Sequence, residues 1–205
     1  MKRLQNNKLQ IVTKTFLEFI SNKKGLSKFS FNCQSLHAHA ADLKNVIIKK
    51  SNFLFLSETC MKNEEQFNIP NFNFVLSYKR PEVLAAGIAI YHNTQDVSYM
   101  DIHTKFTKSI GVNVSDVGEI CIAHYNSKIE QYILMVAIYI SPRKSMIQKF
   151  LFENLTIYTK EGSEILEKRF GKAYDNEPMI LSGDFNIKFA DDKNLPLIEF
   201  LNETI

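Results

Sequence analysis

Several polar residues in this sequence stand at or just past the end of an apolar run. Asn32 follows Phe29-Ser30-Phe31, Glu58 follows the run from Phe53 to Ser57, Tyr139 closes the run from Ile133 to Ile138, and Asp184 and Asn186 follow Met179-Ile180-Leu181. Rigid strands aim residues at their ends into a shared cleft, so these positions are candidates for one site. Their types are complementary. One Glu with an Asp and amide oxygens nearby suits a hard divalent ion such as Mg²⁺ or Mn²⁺, which takes oxygen ligands; Mg²⁺ also keeps several waters. Such an ion polarises a phosphoryl oxygen and neutralises charge in an in-line displacement. An Asn amide accepts from water and donates to phosphate, and a Tyr hydroxyl can donate to a pentacoordinate phosphorus centre. Singly, each residue has an ordinary structural reading. Gly183-Asp184-Phe185-Asn186 is turn chemistry, Glu58 could cap the segment after it, and Tyr139 is a usual strand aromatic. Only the set points to phosphoryl transfer.

Those positions require strands that end together. Ser27–Cys33, Phe53–Ser57, Phe72–Leu76, Ala86–His92 and Met179–Ser182 read as strands, and Cys121–Tyr125 with Tyr132–Ile140 reads as a hairpin. Ile69-Pro70-Asn71 is a turn. Ala38–Lys50 reads as an amphipathic helix with Leu43, Val46 and Ile47 on one face. Further helices are expected over Ser145–Thr159, running on toward Lys168, and over Pro196–Asn202. Strands separated by helices, with one antiparallel hairpin, predict an α/β protein with a mixed sheet. The pattern leaves open one sheet or two stacked sheets.

The 205 residues suit one α/β domain over residues 27–205, after a lead-in over residues 1–26. Seven glycines are too few for a glycine-rich phosphate loop to carry the chemistry. Cys33, Cys60 and Cys121 are odd in number and far apart in sequence, which argues against a disulfide framework or a zinc site and for a reducing, intracellular compartment, nuclear or cytoplasmic. No signal peptide and no apolar run of membrane-spanning length is read in the sequence. The net charge of +3 permits nucleic-acid binding without demanding it. The local pairs Lys23-Lys24, Lys49-Lys50, Lys79-Arg80 and Arg143-Lys144 read as solvated element ends.

The motifs FNCQSL (Phe31–Leu36), LFLSET (Leu54–Thr59), AAGIAIY (Ala85–Tyr91), AIYISPR (Ala137–Arg143) and ILSGDFNI (Ile180–Ile187) come in the order and approximate spacing of the endonuclease/exonuclease/phosphatase superfamily, which the sequence resembles from about Phe29 onward. The likeness extends to the apurinic-endonuclease-like domains of insect retrotransposons and helicase-bearing transposons. It implies a four-layer α/β sandwich of two packed mixed sheets flanked by helices. It also implies a Mg²⁺-dependent phosphodiesterase, with DNA as partner, acting as a monomer. In that scheme Glu58 binds metal, Asn32 supports metal and phosphate, and Tyr139 stabilises the transition state. Asp184 orients or deprotonates the attacking water, Asn186 holds the scissile phosphate, and Arg143 contacts a DNA phosphate or lies on the surface. The family also uses a late Asp-His pair. Here the five histidines are His37, His39, His92, His103 and His124, and none follows Asp184. The Tyr motif also lacks the Asn that follows it in apurinic endonucleases. The expectation is therefore a domain incomplete at its C-terminus and weakly active or inactive as this chain. Two alternatives are a catalytically dead interaction protein and a phosphatase on inositol lipids or small phosphoesters.

Overall fold

The computed structural model describes residues 26–44, 46–62, 65–80, 83–94, 106–114, 118–126, 132–141 and 178–186. Within them lie eight strands: β1 (Lys28–Asn32), β2 (Phe53–Ser57), β3 (Phe72–Tyr78), β4 (Ile88–Asn93), β5 (Phe106–Val114), β6 (Gly118–Asn126), β7 (Tyr132–Ile140) and β8 (Met179–Asp184). They form two four-stranded mixed sheets, ordered β1-β2-β4-β3 and β5-β6-β7-β8. Each sheet has three antiparallel strands and one parallel strand at an end: β1 runs parallel to β2, and β8 runs parallel to β7. The sheets pack face to face with β1 against β8. The chain is thus an α/β sandwich built on two mixed sheets, as the motif resemblance implies.

Strand alternation explains the packing. Phe53 and Phe55 of β2, Ile88 and Ile90 of β4, Cys121, Ala123 and Tyr125 of β6, and Met135, Ala137 and Tyr139 of β7 form one buried cluster between the sheets. The intervening Leu54, Leu56, Ala89 and Tyr91 face the other way and join a second cluster with Leu36, Leu43, Ile48, Met61, Ile69 and Phe72. On sheet two, Ile120, Ile122, Val136 and Ile138 are also buried, so β6 and β7 are covered on both faces. This is why both strands read as near-continuous apolar runs. Burying each large side chain contributes roughly 1.5–3 kcal/mol, and Phe53 and Tyr125 add an edge-to-face contact at 5.2 Å.

Two elements differ from expectation. The helix predicted over Ala38–Lys50 is broken into one turn at Leu36–His39, a 3-10 turn at Asp42–Lys44 and another turn at Val46–Lys49. Asp42 engages His39 locally at 3.0 Å, and Val46-Ile47-Ile48 is a β-branched run; both weaken a continuous helix. Among the described side chains there, Leu36, Leu43 and Ile48 are buried and cover the outer face of β2 and β4. Strand β5 was not expected, because Lys108, Ser109, Gly111 and Asn113 interrupt its pattern; it forms by pairing with β6 over its whole length. The lead-in up to residue 25, the helices expected from residue 145 onward, and Arg143 lie outside the described residues.

Candidate functional site

The site lies where β1, β2, β7 and β8 end. Register decides which side chains meet there. Tyr139 pairs with Glu119 on β6 and with Asp184 on β8. Directly paired residues share a face, and on β6 and β7 that face carries the inter-sheet cluster; Tyr139 and Asp184 therefore both face the opposite sheet. Across the gap, Asn32 Nδ2 donates to Asp184 Oδ2 at 2.8 Å. The other Asp184 oxygen, Oδ1, accepts from the Asn186 backbone N–H at 2.9 Å. Asn186 in turn donates Nδ2 to the Ile140 carbonyl at 2.7 Å, which ties the loop to the end of β7. Asn32 Oδ1 faces the Gln34 N–H at 3.2 Å.

Glu58 enters from the other sheet. Asn32 pairs with Ser57, so Glu58 stands one residue beyond the partner of Asn32. Burial pushes the Tyr139 phenol far above its ordinary value, and the Glu58 carboxylate within reach of its hydroxyl adds to the rise. Tyr139 therefore stays protonated, as a donor must. Hydrogen bonds and strand register thus gather Asn32, Glu58, Tyr139, Asp184 and Asn186 at one end of the sandwich.

The backbone carrying Glu58 is tightly fixed. Glu58 has φ 51, and the Ser35 N–H donates to its carbonyl at 2.8 Å. Thr59 N–H donates to Gly87 O at 3.0 Å, and Cys60 N–H to Ala86 O at 2.9 Å. A non-glycine residue in the left-handed region persists only where its surroundings over-determine it. Gly87 itself has φ 110, and a Cβ there would stand 2.5 Å from Thr59 Oγ1. The Cys33 thiol donates to the Ser57 carbonyl at 3.1 Å and stands 3.6 Å from the Glu58 carbonyl, to which the Cys60 thiol donates at 3.5 Å. Cysteines distant in sequence thus converge on one turn, which sequence spacing could not reveal. Burial pushes the Cys33 thiol up to about 12, so it is a hydrogen-bonding group and not a nucleophile.

Arg80 differs from expectation. It is not half of a solvated basic pair but is buried, and it donates Nε to Glu119 Oε1 at 2.7 Å. The signal available in sequence was only an Arg near a strand end. The described histidines serve elsewhere. His37 bonds Glu65 at 2.6 Å and His39 bonds Asp42. His92 pairs with Phe53 at the start of β2, and His124 with Leu134 near the start of β7, both toward the opposite end of the sandwich.

The donor set fits a hard divalent ion. Glu58, Asn32 and Asp184 offer only oxygen, and among the described residues no group of three His, Cys, Asp or Glu would hold a metal by protein ligands alone. Mg²⁺ is commonly bound by one or two carboxylates, with water and substrate phosphate completing the shell. No described helix is long and apolar enough to cross a membrane.

No family model and no curated protein matches the sequence. Solved structures do match the fold. The human Nocturnin catalytic domain, in a structure with bound sulfate anion, superposes with a TM-score of 0.51 at 13% identity, covering 82% of this chain and 68% of that one. ANGEL2, described as a 2′,3′-cyclic phosphatase, superposes with a TM-score of 0.57 at 16% identity, covering 87% of this chain and 56% of that one. Both belong to the endonuclease/exonuclease/phosphatase superfamily, and the chain has that superfamily's fold.

Proposed function

We propose that this chain is a divalent-metal-dependent phosphodiesterase domain. The observation that carries the reading is the bond from Asn32 to Asp184 between the two sheets, at the strand ends where Tyr139 pairs with Asp184 and Glu58 follows the partner of Asn32. Glu58 and the Asn32 amide oxygen would hold the ion, which when bound supplies Lewis-acid polarisation of a phosphoryl oxygen. Asp184, oriented by Asn32 and by the Asn186 N–H, would accept the proton of the attacking water. Asn186 would hold the scissile phosphate through its amide, and Tyr139 would donate to the charge that develops in the transition state. The motif forms favour DNA as substrate and a mobile-element origin, with Arg143 as a phosphate contact, and the cysteine usage favours an intracellular setting. Weak activity is part of the proposal, because a positioned acid-base group contributes ~10²–10⁴-fold and no described histidine reaches the site.

A second reading, a phosphatase on small phosphoesters, draws on the fold shared with ANGEL2, a 2′,3′-cyclic phosphatase. The deciding assay offers purified protein supercoiled plasmid or a 2′,3′-cyclic nucleotide, with Mg²⁺ or with EDTA. Slow metal-dependent nicking that disappears in Glu58→Ala is expected. Cleavage of the cyclic nucleotide alone would favour the second reading, and no Glu58-dependent turnover of either would leave a non-catalytic binding domain.

A further inference from the structure

We infer that Arg80, anchored by Glu119, is a positioning residue for Tyr139; the inference rests on the phosphodiesterase reading of the site. Arg80 lies two residues past the end of β3 in one sheet, and Glu119 lies on β6 in the other. Their side chains meet between the sheets through the 2.7 Å bond from Arg80 Nε to Glu119 Oε1, with the two residues only 5% and 0% exposed. Glu119 is the direct cross-strand partner of Tyr139, so both side chains project from the same face. The guanidinium carbon of Arg80 stands 5.9 Å from the centroid of the Tyr139 ring, within cation–π range. The hydroxyl at the far end of that ring has the Glu58 carboxylate within its reach. The contacts therefore run Glu119, Arg80, Tyr139, from one sheet to the other and toward the strand ends that carry Glu58 and Asp184.

Stability alone is a poor account of this pair. Glu119 Oε2 is buried without a close hydrogen-bond partner, and burial lifts the carboxyl above its ordinary value against the pull of the Arg80 side chain and of the Arg80 and Gly87 backbone. Apolar residues of similar volume generally stabilise an interior as well as a buried ion pair does. What they cannot supply is a rigid planar cation held against one aromatic ring. That contact restrains where the ring sits and with it where the hydroxyl stands. A donor aimed at developing charge is sensitive to this placement, since displacement by about 1 Å can cost ~10²-fold.

The test replaces the pair without leaving a buried charge unpaired. The double variant Arg80→Met, Glu119→Leu is compared with wild type, each with Tyr139 intact and with Tyr139→Phe. The readouts are melting temperature, kcat and KM for Mg²⁺-dependent hydrolysis of bis-p-nitrophenyl phosphate, and the ring resonances of ¹³C-tyrosine, with buried Tyr91 and Tyr125 as internal references. The expected double variant melts at or above the wild-type temperature. Its kcat falls about 10- to 100-fold with little change in KM, and it loses nothing further in the Tyr139→Phe background. The Tyr139 resonance moves while those of Tyr91 and Tyr125 stay. An unmoved Tyr139 resonance in the folded double variant, or an equal loss of kcat in both backgrounds, overturns the inference. If wild type hydrolyses no phosphodiester, the phosphodiesterase reading fails on that result and the resonance alone decides the placement of Tyr139.

Discussion

Asp184 accepts hydrogen bonds on both carboxylate oxygens, from Asn32 on one side and the Asn186 backbone on the other. A carboxylate held at both oxygens has a defined orientation, which a base or a ligand needs. Asn32→Leu keeps the size and removes the donor. A hydrogen bond to a charged group is worth about 1.5–3 kcal/mol, and partial exposure of both residues reduces this to about 1–2 kcal/mol. The melting temperature should therefore fall by roughly 2–8 °C, and phosphodiester turnover by about tenfold or more as Asp184 loses its orientation. A variant that melts and turns over like wild type would show the bond to be incidental.

Strand β8 can place Asp184 only because Gly183 precedes it. Gly183 has φ 154, and a Cβ at this position would stand 1.8 Å from the Ile138 carbonyl oxygen on β7. That oxygen is backbone and cannot rotate away, so the parallel pairing that sets Tyr139 opposite Asp184 depends on a missing side chain. Gly183→Ala should cost at least ~3 kcal/mol and lower the melting temperature by about 6–12 °C. Gly87→Ala should cost less, because the atom its Cβ would meet belongs to the Thr59 side chain. Thermal melts of the two variants side by side check the ranking, and equal losses would show that the Ile138 contact is not the decisive one.

At the scale of the molecule, both buried clusters shape the response to alkaline pH. Burial raises the phenols of Tyr78, Tyr91, Tyr125 and Tyr139 and the thiols of Cys33 and Cys121. A group whose folded pKa lies above its unfolded value contributes stability below the unfolded value and loses it as pH rises. The unfolded values are about 8.5 for a thiol and about 10 for a phenol. Urea midpoints should therefore stay level from about pH 7 to pH 8 and decline from about pH 8.5 upward, first through the thiols and then through the phenols. Lys28 opposes the decline, because burial lowers its amine, but among the described residues it is one such group against six. Cys33→Ala should flatten the first part of the slope, up to about 12. Midpoints unchanged through about pH 10.5 would contradict this account.

The candidate residues and most strands were legible in the sequence because they depend on local pattern. A run such as Phe53–Ser57 is apolar on both faces, and a polar residue at its end marks a strand mouth whatever the fold. Asn32, Glu58, Tyr139, Asp184 and Asn186 could therefore be named one by one. Their meeting was decided by pairing between strands, with Asn32 opposite Ser57, Tyr139 opposite Asp184, and one sheet laid on the other. Strand β5 and the broken helix were also tertiary matters, since a neighbouring strand and a hydrophobic face overrode weak local preference. Arg80 is the clearest case. In the sequence it is one cation of a basic pair, and only the approach of β6 puts Glu119 beside it and the Tyr139 ring beneath it. A charge is buried or solvated according to what stands across from it, and the partner here is 39 residues away in the chain.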